Sequence, residues 1–153
     1  MSLDALYQEI ILEHNRKPRN FREMPDANRR VEGHNPLCGD QVTLWLRLDG
    51  ERVADASFQG LGCAISKASA SMMTAAVKGK TVVEARALAE EIHEMLIGKL
   101  DVEKERAALG SLAALSGVSR FPQRVKCASM AWHALESALD DANPDAVVPG
   151  SAR

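Results

Sequence analysis

The sequence contains no apolar stretch approaching the ~20 residues that span a bilayer. It has no basic-then-apolar leader at Met1-Ser2-Leu3-Asp4 and no internal repeat. Nineteen Lys and Arg against 21 Asp and Glu leave a net charge of −2. The basic excess typical of nucleic-acid and membrane-surface binders is therefore missing too, and neither partner is expected. Cysteine is scarce, with three in 153 residues. An odd number of thiols, in a chain long enough to bury a core without cross-links, argues against a disulfide framework. It points to a reducing compartment, the cytoplasm, where thiols are kept for metal or sulfur chemistry. Ser66, Ser69 and Ser71 crowd one stretch, but no acid–base partner accompanies them to make a serine nucleophile.

What is present is patterned. Leu3, Leu6, Ile10 and Ile11 recur at helical spacing, so the sequence predicts an amphipathic helix over 3–14. Pro18, Pro25 and several Asn and Arg predict loop over 15–28, followed by a short strand at 29–34. Val42, Leu44, Leu46 and Leu48 alternate with other residues and predict a strand. Asp49-Gly50 then predicts a type I′ hairpin turn, and Val53, Ala56 and Phe58 carry the second strand to about Gln59. After Gly60-Leu61-Gly62 the period lengthens to 3.6, with Ile65, Ala68, Met72 and Ala75 on one face of a helix ended by Lys78-Gly79-Lys80. Thr81 with Glu84 three residues on is a capping box. It opens a helix buried through Ala85, Leu88, Ile92, Met95 and Leu96. A charged stretch and a short helix near 109–115, ended by Gly117, precede the last helix. That helix starts between Ser119 and Pro122 and buries Val125, Ala128, Trp132, Leu135 and Leu139. Residues 1–140 read as one domain. The tail 141–153, with two prolines and no period, is expected to be disordered.

Each cysteine has a setting that suits a metal ligand. Cys38 and Asp40 flank Gly39, whose freedom lets two side chains converge on one point from a tight turn. Cys63 follows Gly60-Leu61-Gly62, where a strand hands over to a helix N-terminus whose unpaired N–H groups favour thiolate. Cys127 lies one to two turns into the last helix, with Arg124 three residues earlier on its face and Lys126 rotated away by about 100°. Three soft thiolates and one carboxylate make four ligands, the number required by tetrahedral zinc or by an iron of a small iron–sulfur cluster. A turn with a surface Asp and a buried Cys is the plain alternative for Cys38-Gly39-Asp40, and ordinary surface charge is the plain reading of Lys126. Among the histidines only His34 is near a ligand motif. His14 ends the first helix, His93 is expected to face solvent, and His133 points away from Cys127. Trp45 and Trp132 read as packing residues.

The segments Asn35-Pro36-Leu37-Cys38-Gly39-Asp40, Phe58-Gln59-Gly60-Leu61-Gly62-Cys63-Ala64-Ile65-Ser66 and Arg124-Val125-Lys126-Cys127-Ala128 resemble, in order, the motifs of the IscU/NifU-N superfamily of iron–sulfur assembly proteins. The likeness covers roughly residues 3–140. Two features resemble the SufU branch: an extra segment at about 100–120, and Lys126 where the standard IscU scaffold carries a histidine. The resemblance implies an α+β fold, a small antiparallel β-sheet of three strands with helices packed on one side. It implies a zinc ion held by Cys38, Asp40, Cys63 and Cys127. It also implies a zinc-dependent sulfurtransferase that accepts persulfide sulfur from a SufS-type cysteine desulfurase and feeds the downstream Suf cluster-assembly machinery, with Cys38 at the receiving position.

Elementary thiol chemistry fits those implications. Sulfane-sulfur transfer is attack by an accessible, low-pKa thiolate on a persulfide. A ligand on a glycine-flexed turn is freer to leave a metal than one anchored on a helix, which favours Cys38 over Cys63 and Cys127, and a ligand from the partner is expected to take its place. Two other readings compete. The same four residues could build a [2Fe–2S] cluster or hold iron as a scaffold. A small structural zinc domain serving as an interaction module is the third.

Overall fold

A hairpin of two ten-residue strands organises the chain. In the computed structural model, which describes residues 3–35, 39–140 and 145–149, β2 (Asp40–Asp49) pairs antiparallel with β3 (Arg52–Leu61), from Asp49 opposite Arg52 to Gln41 opposite Leu61. Its alternating pattern does what period two predicts: Val42, Leu44 and Leu46 are buried while Gln41 and Arg47 are exposed. The turn corrects the expected type. Its central residues are Gly50 and Glu51, and of the two only Gly50 has positive φ, at +62°. That matches the primed turn with glycine first, not type I′, which needs positive φ at both. An irregularity between Arg47 and Leu48 takes up one extra residue on β3.

β1 (Arg29–Asn35) pairs antiparallel with β2, completing the expected three-stranded antiparallel sheet. A fourth strand was not expected. Asp145–Pro149 (β4) pairs in parallel with β1, so the sheet order is β3-β2-β1-β4. It lies in the tail read from the sequence as disordered. Val147-Val148 favours extended backbone, and β1 offers that segment an edge, but five residues carry no period that a sequence window detects.

The outer edge of β3 is also covered. Asn20, at φ +59°, turns the loop so that Phe58 N–H donates to the Asn20 carbonyl and Arg22 N–H donates to the Phe58 carbonyl. Farther along, Val53 N–H donates to the Lys80 carbonyl and Gly79 N–H to the Val53 carbonyl.

The helices pack on one side of the sheet. They are α1 (Leu3–Arg16), α2 (Ala64–Val77), α3 (Val82–Leu96), α4 (Val102–Leu109) and α5 (Pro122–Ala138), with a 3₁₀ segment at Gly110–Arg120. α5 lies on β1, β2 and β4, and α2 lies on β3 between α1 and α5. Both are buried nearly all round, which the one-face patterns understated. Every residue from Cys127 to Leu135 is buried. On α2 the serines Ser66, Ser69 and Ser71 are buried, while Ala75, placed on the inner face by spacing, is exposed. Small side chains permit this close approach, and their hydroxyls are paired. Trp132 Nε1–H donates to Ser69 Oγ at 3.0 Å, and Ser69 donates to the Ala128 carbonyl at 2.7 Å. Thr81 and Glu84 form the capping box, each side chain accepting from the other's backbone N–H. The charged stretch expected after α3 is partly helical, as α4, and Gly117 lies inside the 3₁₀ segment and does not end a helix.

One histidine departs from expectation, and another is buried. His93 does not face solvent but is half-buried, its ring 6.2 Å from that of buried His133. His14 is 9% exposed, with Nδ1 2.7 Å from Ser71 Oγ. Ser71 Oγ also accepts from Arg19 N–H at 2.8 Å. Burial, then the nearby Arg19 charge, holds the His14 pKa below its ordinary 6.5. The unfolded chain therefore binds this proton more readily. The stability His14 contributes is complete above about pH 6.5 and is lost as pH falls toward the lowered folded value. Denaturant midpoints measured from pH 7.5 to 5 are expected to fall, and less so in His14→Gln. An identical pH dependence in the variant would remove His14 as the cause.

Candidate metal centre

The β2–β3 register brings the first two motifs together. With Gln41 opposite Leu61, the residue that opens β2, Asp40, meets the residues that leave β3, Gly62 and Cys63. Asn35 pairs with Asp40, Gly39 N–H donates to the Asn35 carbonyl at 2.8 Å, and Gly39 has φ +73°. Glycine is needed there for its left-handed backbone. Cys63 is the N-cap of α2, and Cys127 comes from the second turn of α5.

Asp40, Cys63 and Cys127 offer one carboxylate oxygen and two sulfurs, all within 4.8 Å of one another. Asp40 is 2% and Cys127 6% exposed, whereas Cys63 opens to solvent. The carboxylate is oriented from its own hairpin: Cys63 N–H donates to Oδ1 at 3.0 Å, and the Cys63 thiol faces Oδ2 at 3.7 Å. Ser66, one turn into α2, donates to the Cys63 carbonyl at 3.1 Å and lies 3.9 Å from its sulfur. Cys127 directs its thiol to the Gln123 carbonyl at 3.7 Å. The donor set suits a metal ion. Zn–S bonds of about 2.3 Å and Zn–O bonds of about 2.1 Å put tetrahedral ligand atoms roughly 3.5 Å apart, a contraction that side-chain rotation can supply. Of the four ligands proposed from sequence, the structure brings these three together. Cys38, with its neighbours 36 and 37, lies outside the described residues.

The glycines of the second motif explain how the carboxylate fits. A Cβ on Gly62 would sit 2.6 Å from Asp40 Oδ1 and 2.6 Å from Ser66 Oγ, so glycine leaves the space that the carboxylate occupies. A Cβ on Gly60 would lie 2.1 Å from the Gln41 carbonyl oxygen, a backbone atom that cannot swing aside. Gly60→Ala is expected to cost stability at or above the upper end of the roughly 1–3 kcal/mol typical of overpacking. Urea unfolding reads this directly, and a midpoint equal to wild type would contradict the close approach of β2 and β3.

Sequence reasoning missed Ser66 at this site. Its position three residues after an N-cap was the only cue, and serine is common there for reasons unrelated to metals. His34 is half-exposed and 4.0 Å from Glu32, a surface pair outside the cluster. Arg124 is exposed and Lys126 half-buried, and neither is part of the ligand group.

Comparison with known proteins agrees with this arrangement. The NifU-like N-terminal domain family matches residues 6–128. The chain is 44% identical to the zinc-dependent sulfurtransferase SufU of Bacillus subtilis, over 90% of this chain and 92% of that protein. It is 40% identical to the iron–sulfur cluster assembly scaffold protein IscU of Streptococcus pyogenes, over 90% and 84%. A crystal structure of an iron–sulfur cluster assembly scaffold protein for the SUF system, from Fervidobacterium islandicum, superposes with a TM-score of 0.81 at 34% identity, covering 91% of this chain and 100% of that one. The matched span contains all three cysteines and Asp40. The chain belongs to the NifU-like N-terminal domain family, within the IscU/NifU-N superfamily of iron–sulfur cluster assembly proteins.

Proposed function

We propose that this protein is a zinc-dependent sulfurtransferase of iron–sulfur cluster assembly, working in the cytoplasm, which receives persulfide sulfur on Cys38 from a SufS-type cysteine desulfurase and hands it to the Suf machinery. The observation that carries the reading is the mixed donor group of Asp40, Cys63 and Cys127 in a chain 44% identical to a zinc-dependent sulfurtransferase. Zinc held by Cys38, Asp40, Cys63 and Cys127 would supply the positive charge that keeps thiols ionised at neutral pH. The protein's own residues do the rest. The Cys63 N–H fixes the Asp40 carboxylate. Burial of Asp40 and Cys127 keeps water from one side, and exposure of Cys63 leaves the other side open to a partner. The Cys38 thiolate attacks the outer sulfur of the donor persulfide. A new S–S bond forms, the donor's S–S bond breaks, and its electron pair leaves on the donor cysteine.

The 40% identity to an IscU scaffold supports a second reading, in which the same ligands build a [2Fe–2S] cluster and pass it on. Two measurements separate the readings: metal content as purified, and stimulation of a cysteine desulfurase. Colourless zinc protein that speeds the desulfurase and gains sulfur is the expected result. A reddish iron protein that transfers a cluster and leaves the desulfurase unchanged would overturn the transferase reading in favour of the scaffold. No described helix is long and apolar enough to cross a membrane.

A further inference from the structure

Beside the metal centre lies a cleft of about 520 Å³, bounded by α1, the first turn of α2, the 3₁₀ segment and the start of α5. Its position is set by the chain: Ile65 in its wall is two residues past Cys63, and Arg124 is one turn before Cys127 on the same face of α5. Arg120 and Arg124 line it, no carboxylate among the described residues does, and Phe121, 54% exposed, forms part of its rim. Tyr7 adds a hydroxyl oxygen that is buried without a hydrogen-bond partner among the described residues. Apolar walls carrying a few convergent polar groups, in a volume of this order, are the usual form of a small-molecule site. The Arg124 guanidinium and the Tyr7 hydroxyl select an anion, and guanidinium matches carboxylate with paired hydrogen bonds.

We propose that this cleft binds a small carboxylate-bearing thiol, about the size of a tripeptide, placed beside the sulfur centre to take the sulfur the protein carries. The acceptor role rests on the sulfurtransferase reading, whereas the binding site does not. In the acceptor step the ligand's thiolate attacks the outer sulfur of the protein persulfide. One S–S bond forms on the ligand, the protein's S–S bond breaks, and the electron pair leaves on the protein cysteine. The ligand departs as its own persulfide, and no oxidant or reductant is consumed.

The binding arm titrates the zinc-loaded protein with S-methylglutathione, which keeps both carboxylates but cannot ligate metal through sulfur, and follows backbone amides by NMR. Saturable shifts are expected at Tyr7, Ile65, Val118 and Phe121. Arg124→Gln should weaken binding about tenfold or more and Tyr7→Phe a few-fold, with Lys99→Gln, a distant surface cation, as the unchanged control. Shifts that do not saturate, that survive Arg124→Gln, or that are reversed by inorganic phosphate at equal concentration would overturn the site. The kinetic arm charges the protein with sulfur and measures its loss to glutathione. A rate that saturates in wild type and becomes linear in Arg124→Gln is expected. Saturable binding with a linear rate in both would leave the site standing and overturn the acceptor role. A protein that cannot be charged at all would sink the transferase reading, with the binding arm still deciding the cleft.

Discussion

Cys127→Ala is expected to strip the centre of metal while leaving the fold intact. Cys127 is 6% exposed on a helix buried from residue 127 to 135, so its sulfur is held by the surrounding α5 packing and no solvent ligand can take its place without a cavity. Loss of an outer partner of a metal ligand costs roughly 10–100-fold in affinity, and loss of a soft ligand itself should exceed that. Zinc content after gel filtration is expected to fall from one per chain to a trace. Cys63→Ala should act similarly. Asp40→Ala should be no milder, because it also removes the acceptor of the Cys63 N–H bond. Secondary structure should persist in all three, since the hairpin and the core under α5 do not use these side chains. Zinc retained near full stoichiometry in Cys127→Ala would show that the three donors within 4.8 Å are not the site.

The second large effect is all-or-none. Cys38→Ser should abolish acceptance of sulfur, because a serine hydroxyl at neutral pH is neither ionised nor able to form a persulfide. Wild type incubated with a cysteine desulfurase and cysteine should gain about 32 Da, the mass of one sulfur atom added to a thiol, and the variant none. Asp40→Ala keeps the Cys38 thiol and should still accept, but more slowly, because the metal that holds that thiol ionised is weakened. An adduct at full level in Cys38→Ser, mapped to Cys63 or Cys127, would reassign the acceptor. The structure already gives those two different prospects: Cys63 opens to solvent at a helix N-terminus, whereas Cys127 is buried.

The hairpin and the three donors that meet, Asp40, Cys63 and Cys127, were legible because each rests on a local signal. Alternation over Val42–Leu48 fixed which side chains enter the core, and the glycines at 39, 60 and 62 marked where backbone had to turn or approach closely. What stayed hidden depends on partners far along the chain. Nothing near Ser71 or His14 announces that they meet across 57 residues. The serines of α2 read as a polar face until α1 and α5 cover them. β4 forms because β1 offers an edge, and the positive-φ pattern at Gly50-Glu51 follows from a register that residue types alone do not set. The cleft was invisible for the same reason: α1, α2, the 3₁₀ segment and α5 each contribute only part of a wall.

The loop that turns at Asn20 also bears on how this protein meets other chains. A long terminal strand is a template: its unpaired N–H and C=O groups invite a strand from another molecule, and self-association by strand addition is the usual result. On β3 that invitation is withdrawn at two places, by Asn20 and Arg22 clasping Phe58 and by Gly79 and Lys80 clasping Val53. Asn20 is itself tied down, its side-chain amide donating to Thr74 Oγ1 on α2 at 3.2 Å. A chain approaching from the β3 side therefore finds the edge already taken at Val53 and Phe58 and cannot add a long strand there, so side chains must carry the contact.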